Sequence, residues 1–150
     1  MHRIEEVIKI ILDLQNDIEY LELGNVHALI YPLQKLTNEE WEELCNQIDQ
    51  WNGLQRMILI TSILEIKDNK ASNFDTSIIL AKAFILSELR DSEVLIEDLE
   101  FLDNDIPKDI DLVNQIFDKI KWLERKSKYY EIHFEEKHKL INKLYINAIC

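Results

Sequence analysis

With 150 residues, 47% of them apolar, the chain is the size of one domain and can bury a sizeable core, which excludes bulk disorder. Only two Gly and two Pro exclude a turn-rich sandwich or barrel, and two cysteines, Cys45 and Cys150, are too few for a disulfide framework. The formal net charge of −12 is uneven: residues 1–56 carry 4 basic against 11 acidic side chains, residues 57–118 carry 5 against 14, and residues 119–150 carry 8 against 4. An acidic middle repels nucleic acid and attracts basic surfaces.

The first apolar stripe, Ile4, Val7, Ile8, Ile11, Leu14, Ile18 and Leu21, predicts a helix from Arg3 to about Leu23. Glu5 and Glu6 follow Arg3 at once, and Lys9 and Asp13 cut the stripe. The segment therefore reads as neither leader nor membrane span, and the chain as cytoplasmic. Gly24 suits a helix end and Asn25 a new cap. Val26 to Leu36 follows as a helical segment that Pro32 should kink or split.

Thr37-Asn38-Glu39-Glu40 has the spacing of a capping box, with Leu36 and Trp41 at the staple positions on either side. The helix it opens carries Trp41, Leu44, Cys45 and Ile48 on its inner face, with Glu39, Glu42, Glu43 and Asp49 outside, and should stop at Asn52-Gly53. Cys45 lies on the apolar stripe and reads as a core thiol. After Gly53 an apolar helix runs to about Ile66, and a polar link spans Lys67 to Asn73.

Asp75 to Leu89 is the most apolar stretch. Residues 78–81 and 83–86 cover every direction of a helix, and Lys82 interrupts them. A helix apolar all round belongs inside a fold or a bilayer, and this one falls far short of the ~20 residues a span needs. It reads as the centre of the core, with Met57 to Ile66 as its packing partner. Arg90-Asp91-Ser92 should turn it into a helix from Glu93 to about Leu102, closed by Asp103-Asn104-Asp105. Pro107 suits the first turn of a seventh segment bearing Val113, Ile116, Phe117, Ile120 and Leu123. A break near Ser127 leads to a last helix with Tyr130, Phe134, Ile141, Leu144, Tyr145 and Ala148 as its stripe.

The expected architecture is therefore a single all-α domain over residues 1–150, with seven to eight helices in antiparallel pairs. Helix starts near 38, 74 and 109 recur at about 35 residues, a period that resembles the hairpins of HEAT-type solenoids. No residue-by-residue similarity links the three pairs, so an irregular helical bundle is an equal alternative.

Catalytic and metal motifs are missing. There is no Walker loop, no G-x-G-x-x-G and no G-x-S-x-G, so no cofactor is nominated. His133 and His138 are five apart, roughly 140° around a helix at 3.6 residues per turn, whereas a zinc helix needs histidines four apart. Glu135 and His138 form one E-x-x-H where a di-iron bundle needs two. A solvated charged face explains this stretch better than a metal site. Lys119, Lys121, Arg125, Lys126 and Lys128 beside Trp122, Tyr129 and Tyr130 could grip a single strand, but cations at a helix C-terminus also complement its dipole. The acidity of the rest of the chain favours the second reading, with no direct nucleic acid bound.

The remaining feature is the acidic run. Between Glu88 and Asp118 there are eleven acidic residues against Arg90 and Lys108. Glu93, Glu97, Glu100, Asp103, Asp105, Asp109 and Asp111 cluster around one helix pair in the linear reading and are the candidate partner-binding residues; solubility alone is the competing explanation. The helix-pair period and the acidic residues at 93–111 give a layout, chiefly over residues 38–126, that resembles the small HEAT-like immunity proteins bacteria use against polymorphic or contact-dependent toxins. That resemblance implies a non-catalytic inhibitor whose carboxylates fill the basic cleft of a toxin, many such toxins being basic nucleases. A nucleic-acid-mimicking phage anti-defence protein would use the same face. A helical scaffold would bind through an apolar groove instead.

Overall fold

The computed structural model describes residues 2–16, 27–66, 76–102, 109–128 and 132–149. Among them the chain is all-α, as expected, with eight α-helices, two short 3-10 turns and no strand. The helices are α1 (His2–Gln15), α2 (His27–Gln34), α3 (Asn38–Gln47), α4 (Gly53–Ile66), α5 (Ser77–Leu86), α6 (Leu89–Asp98), α7 (Ile110–Lys126) and α8 (Phe134–Ile149). None is long and apolar enough to cross a membrane. The contacts divide the chain into two compact units, Met1–Phe74 and Asp75–Cys150.

In the first unit α4 packs against α1 and α2, α1 also packs on α2, and α3 touches α1. The buried stripe of α1 is Ile4, Val7, Ile11 and Leu14. The helix ends at Gln15, short of the expected Leu23, with Asn16 N–H closing a turn on Asp13 O at 3.2 Å. Ile18, Leu21, Gly24 and Asn25 lie outside the described residues. Pro32 does not split its segment. It sits near the end of α2, so its missing N–H forfeits a single helical bond, and Lys35 N–H closes the turn on Pro32 O at 3.2 Å.

The capping box at Thr37 is present in both halves. Glu40 N–H donates to Thr37 Oγ1 at 3.2 Å and Thr37 N–H donates to Glu40 Oε1 at 3.0 Å, with Leu36 and Trp41 both buried. The Thr37 N–H also holds the Glu40 carboxyl below its ordinary value of 4.5. Arg3 docks on this corner, donating to Lys35 O at 2.9 Å, with its guanidinium 3.6 Å from Glu40 Oε1.

Asn52-Gly53, expected as a stop, is a start. Helix α3 ends at Gln47 and a 3-10 turn covers Ile48–Gln50. Gln55 N–H then donates to Asn52 Oδ1 at 2.8 Å while Asn52 N–H donates to Gln55 Oε1 at 3.0 Å, a second reciprocal cap. The Arg56 guanidinium donates to Ile48 O at 3.2 Å and Trp51 O at 2.5 Å, so the carbonyls leaving the turn are satisfied. Gln55 also donates to Gln15 Oε1 at 2.9 Å and ties α4 to the end of α1. The main packing of α4 within its unit is on α1 and α2, not on its sequence neighbour α3, so this pair departs from the expected hairpin.

The second unit is built on α5, which packs against α6, the 3-10 turn Leu99–Leu102 and α7. Ile79, Leu80, Ala81, Ala83 and Phe84 are all buried, and Lys82 is half-buried. The corner after α5 comes earlier than expected, at Ser87-Glu88, and Arg90, Asp91 and Ser92 already belong to α6. Ser87 Oγ donates to Phe84 O and lies 2.6 Å from Ser92 Oγ, so this buried turn closes on its own hydroxyls. Helix α7 buries Leu112, Val113, Ile116, Ile120 and Leu123, while Phe117 is half-exposed. Helix α8 packs on α7 through Ile141 and Leu144; Pro107, Tyr129 and Tyr130 lie outside the described residues.

Two substitutions separate capping from packing. Thr37→Ala and Asn52→Ala should each cost about 1 kcal/mol in urea denaturation, whereas Phe84→Ala should cost about 3–5 kcal/mol. Glu40 is held below its ordinary value in the folded chain, so its share of the first cap is present above pH 4.5 and is lost as pH falls through the lowered folded value. A Glu40→Ala deficit should therefore shrink in acid, whereas the deficit of Thr37→Ala, which leaves the backbone N–H of that position in place, should persist.

Candidate functional site

Helix α6 has the sequence LRDSEVLIED and buries Ser92, Leu95 and Ile96. That register leaves Val94 and Glu97 exposed and Glu93 and Asp98 half-buried. The helix ends on Glu97 and Asp98 with no basic residue in its last turn, and Glu100 follows in the 3-10 turn. Backbone carbonyls already make a helix C-terminus partly negative, so three carboxylates there oppose the dipole. Burial pushes the Asp98 carboxyl above its ordinary value, and the Glu100 and Glu97 charges push it further; Lys137 is the group that pulls it down.

Lys137 comes from α8 and is 8% exposed, with its Nζ 3.6 Å from Glu97 Oε2. In sequence it belongs to the charged stretch around His133 and His138. Phe134, Lys137, Ile141 and Leu144, however, follow helical spacing, so Lys137 falls on the apolar stripe of α8. That placement, and the position of Asp98 between Glu97 and Glu100, were the signals available for two residues that sequence reasoning left out.

The structure describes five of the seven candidate carboxylates and places them apart. Glu93 accepts from Ser127 Oγ at 2.7 Å, which sets it beside the C-terminal end of α7, and Glu97 is on Lys137. Asp109 instead caps the N-terminal end of α7, its Oδ1 accepting from Leu112 N–H at 3.1 Å, and Asp111 is exposed in the first turn. The 17 residues of α7 span about 25 Å. Glu93 and Asp109 therefore lie beside opposite ends of one helix. Asp103 and Asp105 lie outside the described residues.

The basic end is used within the unit. Lys119 donates to Ser87 O and lies 4.0 Å above the Trp122 ring, with burial pushing its ammonium down. Lys121 sits 4.5 Å over Phe117 and 3.4 Å from Asp118. Arg125 and Lys126 occupy the last turn of α7, where the dipole favours them. His138 meets Glu124 at 3.3 Å and the edge of Phe117. Among the described residues no group of three or more His, Cys, Asp or Glu could hold a metal ion.

Comparison with protein-family models, curated proteins and solved structures finds no match for the chain.

The α6 end yields a prediction. Lys137→Met keeps the buried stem and removes the charge, so it should cost under about 1 kcal/mol, while Lys137→Ala should cost more through lost packing. Carboxyl-detected NMR titration should show Asp98 rising further in both. With its folded pKa above the ordinary 3.8, Asp98 binds its proton more tightly folded than unfolded, so its effect on stability worsens as pH rises through that window. Asp98→Asn should stabilise the chain slightly at neutral pH and not below the ordinary aspartate range.

Proposed function

We propose that the chain is a non-catalytic binding protein, an inhibitor of the immunity type, whose acidic surface at the end of α6 docks on a basic protein. The observation that carries this reading is the gathering of Glu97, Asp98 and Glu100 on a helix C-terminus. Their mutual repulsion and the dipole make that placement unfavourable for folding, with Lys137 as the cation set against Asp98 among the described residues. A cationic partner would relieve the strain. Val94, 54% exposed one turn before Asp98, supplies an apolar contact amid the carboxylates.

The mechanism is occlusion. Carboxylates enter the positive cleft where substrate phosphates would sit, and their field speeds encounter at low ionic strength. Basic nuclease toxins are the partner class that this chemistry fits best.

The test is capture from a lysate of the source organism at low and high salt, followed by binding kinetics with the purified partner. A basic partner whose association slows about tenfold with Glu100→Lys supports the reading, provided Asp111→Lys at the far end of α7 has little effect. A partner indifferent to both salt and Glu100→Lys rejects it and favours the apolar scaffold.

A further inference from the structure

Among the described lysines Lys137 is the buried one, with 10% of its side chain exposed, and the carboxylate it faces, Glu97, has 56% of its side chain exposed. The Lys137 Nζ stands 3.6 Å from Glu97 Oε2, beyond the reach of about 2.7–3.2 Å of an ordinary N–H···O hydrogen bond, so the contact is one of charge alone. Such a pair on a half-exposed carboxylate adds little to stability, and taking an ammonium out of water costs free energy. A lysine stem can lie on apolar surface and still carry its head to water. Here the head turns to the α6 carboxylates instead, and the same charge opposes the rise imposed on Asp98. The main packing of α8 within its unit is on α7. Lys137 can therefore leave Glu97 by a change of side-chain rotamer, with no helix displaced.

On the reading that the α6 end docks a basic protein, on which this inference rests, we propose that Lys137 is an autoinhibitory cation: its ammonium holds Glu97 in place of the partner's cation, and docking displaces it. While Lys137 is on Glu97, three carboxylates act against one ammonium and their outward field is weakened. A partner guanidinium has the advantage in the exchange. Its planar fork can hold both oxygens of a carboxylate, whereas the ammonium makes a single long contact. The exposed side of Glu97 lets the guanidinium arrive before the ammonium departs, so the exchange never leaves the carboxylate bare. The contact thereby sets a threshold. A strongly cationic surface expels Lys137, and a weakly cationic one is refused.

The experiment titrates the full chain with a hexa-arginine peptide in low-salt buffer, read by calorimetry and by the NMR signal of the Lys137 ε-methylene. Lys137→Met, which keeps the buried stem and removes the charge, should bind the peptide about three- to fivefold more tightly, the equivalent of the ion pair released. Lys139→Met removes the same charge from the exposed face of α8, roughly 200° round the helix, and should change binding less. Glu100→Lys should weaken binding in the wild type and in Lys137→Met alike. At saturation the wild-type Lys137 signal should move to the position of the exposed lysines, a readout that keeps the test decisive should Lys137→Met fail to fold. Binding that Glu100→Lys weakens, but that Lys137→Met lowers or leaves level with Lys139→Met, overturns the inference and leaves the α6 docking surface standing. A Lys137 signal unmoved at saturation does the same. Binding indifferent to Glu100→Lys in every chain, or no binding at all, removes the docking surface itself and the inference with it.

Discussion

Among the described residues α4 and α5 are apolar around most of their circumference, and each must be covered on more than one side. For α4 the cover within its unit comes from α1 and α2; for α5 it comes from α6, the Leu99–Leu102 turn and α7. The covering helices are amphipathic, as α1 and α7 show, and each contributes one stripe to the core. Helix propensity alone would not hold segments as short as α2, α5 or α6; burial of their apolar faces does. Leu29 and Leu33, Phe84, and Leu95 and Ile96 are all essentially inaccessible to water.

Helices this short and this closely joined bring many orphan backbone groups near the core, and polar side chains satisfy them locally. Thr37 with Glu40 and Asn52 with Gln55 take the donors at two helix starts. Arg56 takes carbonyls where α3 gives way to α4. In the second unit the buried hydroxyls of Ser87 and Ser92 meet at a two-residue corner, and Lys119 reaches across from α7 to Ser87 O. Those bonds explain why several polar residues that could have served a ligand are already engaged.

Charge follows the same logic. Lys137 of the basic segment lies on Glu97 of the acidic one, His138 meets Glu124 within the basic segment, and Lys121 pairs with Asp118 one turn away on α7. Asp109 and Glu93 are spent on a helix cap and a serine hydroxyl. Among the described residues Asp98 is the carboxylate that burial, with the Glu100 and Glu97 charges beside it, holds above its ordinary value, and the proposed docking surface lies at this end of α6.

The sequence by itself determined the all-helical class, the buried stripes of α1, α3 and α7, the Thr37 cap and the burial of most of Ile58–Ile66 and Ile79–Phe84. These follow from local spacing, because side chains three and four residues apart share a helix face wherever the helix goes. Helix limits were less legible. Asn52-Gly53 has the composition of a stop, and only the reciprocal bonds with Gln55 show it to be a start. Tertiary structure alone decided which helices meet, that α4 turns to α1 and α2 instead of α3, and that Glu93 and Asp109 stand at opposite ends of α7. Proximity along the chain does not survive the insertion of a rigid 17-residue rod between two charges, and a lysine on an apolar stripe finds its carboxylate only when two distant helices pack.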